Sequence, residues 1–127
     1  MTIGNGDWGV GMPQALLLED FAEHVRNFFG ETPYLVGSVL QSKLWRDVDI
    51  RVILSDEEYA SIGLGNPKEP FNNSKWISLC LAFSALGKQM TGLPIDFQVQ
   101  QLSYANEQFK GLRSALGLTK MKLVNHE

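Results

Sequence analysis

The chain has 127 residues, of which 44% are hydrophobic and 20% are charged, and its formal net charge is -3. A chain of this length is the size of one domain and buries enough surface to fold without disulfide or metal staples. The composition excludes the disordered, collagen-like and membrane classes, and the acidic balance argues against a protein that coats long nucleic acids. We therefore expect one soluble, cytosolic domain over residues 1–127, with a flexible lead-in (1–11) and a mobile tail (118–127).

The first predicted elements are a helix and a short strand. The helix begins near Pro13 and ends at Gly30. Its apolar residues recur at helical spacing and predict a core face made of Leu17, Phe21, Val25 and Phe28. The strand covers residues 34–36 and ends at Gly37-Ser38.

A second strand is predicted from Asp47 to Leu54, and a capping box at Ser55 then starts a short helix that ends near Gly63. Residues 65–73 form a loop, after which a longer helix runs from Lys75 to about Thr91. Its apolar positions predict a core helix: Ile77, Cys80, Leu81, Phe83 and Leu86. A third strand (93–100) and a short helix near Ser103 complete the order, with turns at Gly111 and Gly117. This order favours an α/β (α+β) fold in which a small mixed sheet carries its helices mainly on one face.

The second and third strands alternate apolar and polar residues, which places acidic side chains on one face. Asp47 and Asp49 occupy positions i and i+2, so their Cα atoms are about 6.5–7 Å apart on the same face. Such acids repel each other unless they are solvated or share a cation such as Mg²⁺, which prefers oxygen ligands. Asp96 on the third strand joins them if the two strands are neighbours. A solvated outer face remains the alternative explanation of an acid-x-acid pair.

The end of the first strand is a candidate phosphate-binding site. A strand that ends in Gly-Ser before a short helix lets phosphate oxygens approach the backbone closely. The backbone N–H groups and the Ser38 hydroxyl would donate to those oxygens. Between this site and Asp47, the spacer 39–46 contains Lys43 and Arg46, two cations that are able to reach a phosphate.

These motifs together resemble the nucleotidyltransferase superfamily typified by DNA polymerase beta. The resemblance covers residues 33–100 and rests on three motifs: Gly37-Ser38, Asp47-Val48-Asp49-Ile50 and Pro94-Ile95-Asp96-Phe97. In that family the Gly-Ser pair contacts the triphosphate, the paired acids bind both metal ions, and the third acid helps to ligate the metal nearer the attacking hydroxyl. The resemblance implies that Asp47, Asp49 and Asp96 bind two Mg²⁺ ions, with Mn²⁺ as a substitute. The spacer lacks the glycine and early arginine of many members; Lys43 and Arg46 could take that role, and solvation at the surface is the alternative for both.

The implied function is transfer of a nucleoside monophosphate from a nucleoside triphosphate to a hydroxyl group. ATP is the expected donor, and the acceptor is a protein, an RNA end or a small molecule. Small stand-alone members often lack the helical substrate domain of larger relatives, so loops, a homo-oligomer or a helical protein partner would recognise the substrate. Further cations are Lys75, at the start of the long helix, and Arg113, after the third strand. We expect no membrane partner.

Two other functions stay open. The first is a non-catalytic or regulatory module with the same fold that acts through a protein partner, for example in an antitoxin-like role. The second is a metal-dependent nuclease, because clustered acids serve that chemistry too. By contrast, Cys80 lies among apolar residues and is expected to be a buried small hydrophobe. Ser38 has no partner histidine in a plausible pattern for acyl transfer.

Overall fold

A computed structural model describes residues 13–37 and 47–117 of the chain, and these residues form four helices around a four-stranded mixed sheet. The helices are α1 (Gln14–Phe29), α2 (Asp56–Ser61), α3 (Ser74–Thr91) and α4 (Leu102–Gln108), and a short 3-10 turn (Pro70–Asn72) precedes α3. The strands are β1 (Pro33–Val36), β2 (Val48–Leu54), β3 (Ile95–Gln101) and β4 (Ser114–Ala115). The predicted α+β class with a small mixed sheet is confirmed. The predicted lead-in and tail lie outside the described residues.

The strand order is β3-β2-β1-β4. β1 is antiparallel to both β2 and β4, whereas β2 and β3 are parallel. α3 connects the parallel pair, as a crossover between neighbouring parallel strands requires. This connection brings the second and third predicted strands side by side, which is the arrangement on which the convergence of the acids depends.

Local sequence signals set the ends of the helices. The Ser55 side chain accepts a hydrogen bond from the Glu58 N–H at 3.1 Å, which caps α2 as the predicted capping box requires. The Asn73 side chain accepts from the Trp76 N–H at 2.8 Å at the start of α3. At their other ends, α1 stops at the predicted Gly30 and α3 stops at Gly92, one residue after the predicted end near Thr91.

One face of the sheet is packed against α1 and α3. Alternate residues of β2 and β3 are buried on this face, in the pattern that the sequence predicted. Phe97 of β3 lies at the centre, with its ring centroid 6.3 Å from that of Phe21 and 5.9 Å from that of Phe29 in α1. The ring of Phe83 in α3 lies 5.2 Å from Phe97. We call this side the covered face, and the other side the open face.

Two residues predicted for the core are exposed. Phe28 at the end of α1 is 64% exposed, and Leu81 in α3 is 66% exposed, so both predictions were wrong. α1 instead buries Ala15, Leu18 and Ala22 beside Phe21, so its buried stripe includes two alanines as well as large apolar residues. Phe28 rests on the surface against Phe83, at a centroid distance of 5.2 Å.

The outer edge of β3 is covered by side chains from α3. The Ser84 hydroxyl accepts a hydrogen bond from the Phe97 N–H at 2.9 Å, and the Trp76 indole donates to the Val99 carbonyl at 2.8 Å. β4, at the opposite side of the sheet, was not predicted from the sequence. Among residues 13–37 and 47–117, no helix is both long enough and apolar enough to cross a membrane.

Candidate functional site

Two of the three predicted acids lie side by side on the open face. In the parallel pairing of β2 with β3, Asp49 is directly opposite Asp96. Neighbouring strands are about 4.8 Å apart, so the two carboxylates leave adjacent backbone positions. Asp47 comes immediately before β2 and is exposed. The fold therefore brings a side chain from late in the chain next to the earlier acidic pair.

Arg51 reaches both acids of the pair. Its Nη2 atom lies 3.8 Å from Asp49 Oδ1 and 3.5 Å from Asp96 Oδ2. Its Nη1 atom donates to the Asp96 carbonyl at 2.7 Å and to the Ile50 carbonyl at 3.0 Å. These backbone contacts hold the guanidinium in place across the two strands, and its side chain is only 13% exposed. The alternation along β2 predicts that Arg51 shares a face with Asp49, but no sequence motif indicates a role for it.

The electrostatic environment of Asp49 disfavours its charged form. Burial raises the pKa of Asp49 above its ordinary value, and Arg51 opposes this rise with its positive charge. The neighbouring charges of Asp96 and Asp47 raise the pKa further, and so does a hydrogen bond with Asp96. The site therefore gains stability from any added positive charge, whether a proton or a metal cation.

The backbone at the end of β1 approaches the Asp49 carboxylate closely. Gly37 has φ +79°, and a Cβ atom added to it would lie 2.3 Å from Asp49 Oδ2. Only glycine meets both requirements without strain. Gly37 thus lies beside the acids, where a phosphate contact was predicted. The other predicted nucleotide-binding residues, Ser38, Lys43 and Arg46, lie outside the described residues.

Of the three predicted acids, Asp49 and Asp96 form a close pair, and Asp47 is exposed just before β2. Across residues 13–37 and 47–117, no group of three or more histidine, cysteine, aspartate or glutamate side chains is arranged to hold a metal ion. The donor chemistry of Asp49 and Asp96 fits Mg²⁺, since both supply carboxylate oxygens. Arg51 already provides part of the charge that a cation would bring. A metal ion would therefore have to share the acids with Arg51 and draw Asp47 towards them.

A cavity of about 360 Å³ on the open face is lined by Asp49, one member of the acidic pair. Its floor is formed by β1, β2 and β3 and includes Asp49, Arg51, Gln98 and Gln100. The segment 108–113, which begins at the last residue of α4, forms a wall of the cavity. One of the additional cations suggested by the sequence, Arg113, lies on this wall. Lys75 lies elsewhere, with its side chain near Gly63.

Gln98 and Gln100 on the floor of this cavity were not among the predicted site residues. Gln98 and Gln100 follow Asp96 at intervals of two residues on β3, so the same alternation that placed Asp96 on the open face also placed both amides there. That signal was present in the sequence. The wall contributed by residues 108–113 had no comparable signal, because its position depends on how the chain leaves α4.

Cys80 is not a candidate nucleophile. Its side chain is buried, and burial raises the pKa of its thiol to about 11. The thiolate that reacts is therefore scarce at neutral pH. This confirms the prediction that Cys80 acts as a small hydrophobe in α3.

The chain was compared with models of protein families, with curated proteins and with solved structures. None of the three comparisons found a match. The function is therefore inferred from the geometry of the open face and from the sequence motifs that this face contains.

Proposed function

We propose that this protein is a metal-dependent nucleotidyltransferase that moves a nucleoside monophosphate from a nucleoside triphosphate, with ATP as the expected donor, to a hydroxyl acceptor. The observation that carries the proposal is the register of β2 and β3, which sets Asp49 opposite Asp96 on an open face beside Gly37. A fold that needed only a solvated surface would gain nothing from this arrangement, because burial of Asp49, and then repulsion from Asp96 and Asp47, raise the pKa of Asp49 against the opposing charge of Arg51.

The proposed reaction is an in-line displacement at the α-phosphate. The acceptor oxygen forms a bond to phosphorus, the bond to the β-phosphate breaks, pyrophosphate leaves with the electron pair, and the hydroxyl proton passes to solvent. Bound Mg²⁺ ions, or Mn²⁺ in their place, would stabilise the charge on the attacking and leaving oxygens. Asp47, Asp49 and Asp96 would hold these ions through carboxylate oxygens. A cytoplasmic location belongs to the same proposal, since nucleoside triphosphates and reduced thiols such as Cys80 coexist there.

Arg51 has a positioning role in this proposal. Its two backbone contacts fix the guanidinium beside the acids, so the carboxylates of Asp49 and Asp96 stay close together although their charges repel. Such preorganisation lowers the cost of assembling the site when substrate arrives. The acceptor remains open among a protein, an RNA end and a small molecule.

The direct test is label transfer. The full chain is incubated with Mg²⁺ or Mn²⁺ and with nucleoside triphosphates labelled at the α-phosphate, together with candidate acceptors. Asp47→Asn and Asp49→Asn should each reduce transfer by at least about 100-fold, the size of loss seen when a group that stabilises transition-state charge is removed. Glu57→Gln is the matched control, because Glu57 is an exposed acid in α2 outside the cavity. Transfer that survives both aspartate substitutions would reject the assignment.

A second candidate function is a non-catalytic module that acts through a protein partner. The ion pairs of Arg51 favour it, because they partly neutralise Asp49 and Asp96 without any metal. Calorimetric titration with Mn²⁺ separates the two candidates. The enzyme requires Mn²⁺ binding that is lost in Asp49→Asn, whereas the module requires no metal binding. Co-purification with a second protein or a stable homo-oligomer in solution would then support the module.

A further inference from the structure

The cavity on the open face has a charge pattern that points to an anionic ligand. Three of its lining residues are cations (Arg51, Lys110 and Arg113), and one, Asp49, is an acid. The acid belongs to the strand floor, beside Gly37, whereas Lys110 and Arg113 belong to the segment 108–113 that lines the same cavity. A ligand in the cavity would thus meet one acid and three cations.

Of the cations, Lys110 has no hydrogen bond or ion pair within the described part of the chain, and it is exposed. Arg113 is held in position by the segment itself, since its Nη2 atom donates to Asn106 Oδ1 at 3.2 Å and to the Phe109 carbonyl at 3.4 Å. These two contacts use one nitrogen of the guanidinium and leave other donors for a ligand. Arg51 is engaged with the acids and contributes charge at the floor.

The rest of the lining can bind an anion without adding negative charge. Gln98 and Gln100 present side-chain amides on the floor, and the wall includes the backbone of Gly111. A volume of about 360 Å³ is at the small end of the range for ligand pockets, so the cavity holds part of a nucleotide. A flexible chain of phosphates fits both the volume and the excess of cations over acids in the lining.

We propose that this cavity is a polyphosphate-binding site, in which Lys110 and Arg113 bind the phosphate chain of a nucleoside triphosphate whose α-phosphate lies at the acids. The inference rests on the proposed nucleotidyltransferase function for the identity of the nucleotide. It also supplies phosphate contacts from Lys110 and Arg113, in addition to the contacts predicted at Gly37-Ser38. Guanidinium and ammonium groups are the usual partners of phosphate oxygens in proteins.

The test measures binding of inorganic tripolyphosphate to the full chain in the presence of EDTA, at low ionic strength where exposed charges are least screened. Lys110→Gln should weaken binding about fivefold, and the double variant with Arg113→Gln about 20-fold. Arg113→Lys keeps the charge and should stay within about threefold of the unmodified chain, which separates loss of charge from loss of the local fold. Lys88→Gln, an exposed lysine in the last turn of α3, is the matched control and should bind normally.

Two further ligands identify the part of the nucleotide that is bound. ATP should compete with tripolyphosphate, and adenosine at the same concentration should not. Displacement by adenosine would overturn the inference, and so would equal binding by the double variant and the unmodified chain.

Failure of this inference is distinguishable from failure of the proposed function. Label transfer that persists in the double variant with an unchanged KM for ATP would reject the polyphosphate site while leaving the enzyme intact. Conversely, absence of label transfer together with tripolyphosphate binding that depends on Lys110 would reject the enzyme and support the site. Asp49→Asn should abolish transfer and keep metal-free tripolyphosphate binding, because it removes a negative charge from the cavity.

Discussion

The two faces of the sheet differ in what their side chains do. On the covered face, residues such as Ile50 and Phe97 are fully buried against α1 and α3. On the open face, the residues next to them in the chain, Asp49, Arg51 and Asp96, are partly exposed and carry charge. Adjacent residues of one strand thus serve different ends. The covered face stabilises the fold, and the open face keeps charges close together at some cost in stability.

The comparison predicts that the largest loss of stability comes from the covered face. Phe97→Ala removes a ring that contacts three other phenylalanines, so it should lower the free energy of unfolding by about 3–5 kcal/mol. Gln98→Ala, one residue further along β3, should change it by less than about 0.5 kcal/mol. Urea denaturation of both variants measures the difference. Similar losses for the two would break the distinction between the faces.

Gly37 directly follows β1 and belongs to the candidate site, so its substitution should affect both stability and label transfer. Gly37→Ala forces a side chain into a left-handed conformation and against the Asp49 carboxylate, so it should lower the free energy of unfolding by about 1–3 kcal/mol. It should also reduce label transfer, because Asp49 has to move. Gly30→Ala is the control, since Gly30 has a similar φ of +76° but a Cβ there would meet nothing within 4 Å. If both alanine variants unfold at the same urea concentration, the close approach does not constrain the site.

Arg51 tests whether the open face is built for a cation. Arg51→Met removes the positive charge beside Asp49 and Asp96 while keeping much of the side-chain volume. Mn²⁺ should then bind about three- to tenfold more tightly, because it no longer shares the acids with a guanidinium. Arg51→Lys should remain closer to the unmodified chain. Calorimetric titration gives both affinities, and an unchanged Mn²⁺ affinity in Arg51→Met would show that the two cations do not compete.

The smallest expected effect is a gain in stability at the acids. The pKa of Asp49 is raised from its ordinary value of 3.8, so its ionised form costs free energy of folding. That cost is absent below pH 3.8, where the carboxyl is protonated in both states, and is complete above the raised pKa. Asp49→Asn should therefore raise Tm at pH 7 by about 1–3 °C and leave it unchanged at pH 3.

Asp56 provides a control of opposite sign for that measurement. Hydrogen bonds from the Ser103 hydroxyl and N–H lower the pKa of Asp56. Its ionised form is therefore favoured by folding, and this contribution disappears as the pH falls through the lowered pKa. Asp56→Asn should lower Tm at pH 7. A rise in Tm in both variants would mean that general charge repulsion, and not the local environment, sets the result.

Much of the fold follows from local patterns. The alternation in β2 and β3, the cap at Ser55 and the glycines that end α1 and α3 are all signals within a few residues. β4 has no such signal, since it consists of two residues that pair with β1 from about 80 positions later in the chain. The exposed Phe28 and Leu81 show the same limit. A helix stripe gives the period of burial, but tertiary packing decides which residues at its borders are covered.

The candidate site was predictable only in part for the same reason. Alternation places Asp49, Arg51 and Asp96 on one face of their strands, but the side-by-side register of Asp49 and Asp96 depends on pairing between distant segments. Convergence of the acids was therefore predicted on the condition that the two strands are neighbours, and the pairing of β2 with β3 meets this condition. The contacts of Arg51 with two backbone carbonyls and the wall formed by residues 108–113 required coordinates.

The covered edge of β3 bears on how this molecule meets other molecules. An edge strand with free donors and acceptors invites a strand from another chain, which leads to sheet extension and aggregation. Here Ser84 and Trp76 already bind backbone groups on that edge, so strand addition would first have to break their hydrogen bonds. A ligand near Asp96 therefore meets side chains and a strand edge on which two backbone groups are already hydrogen-bonded. The rim of the cavity can remain accessible to substrate without also becoming a template for polymerisation.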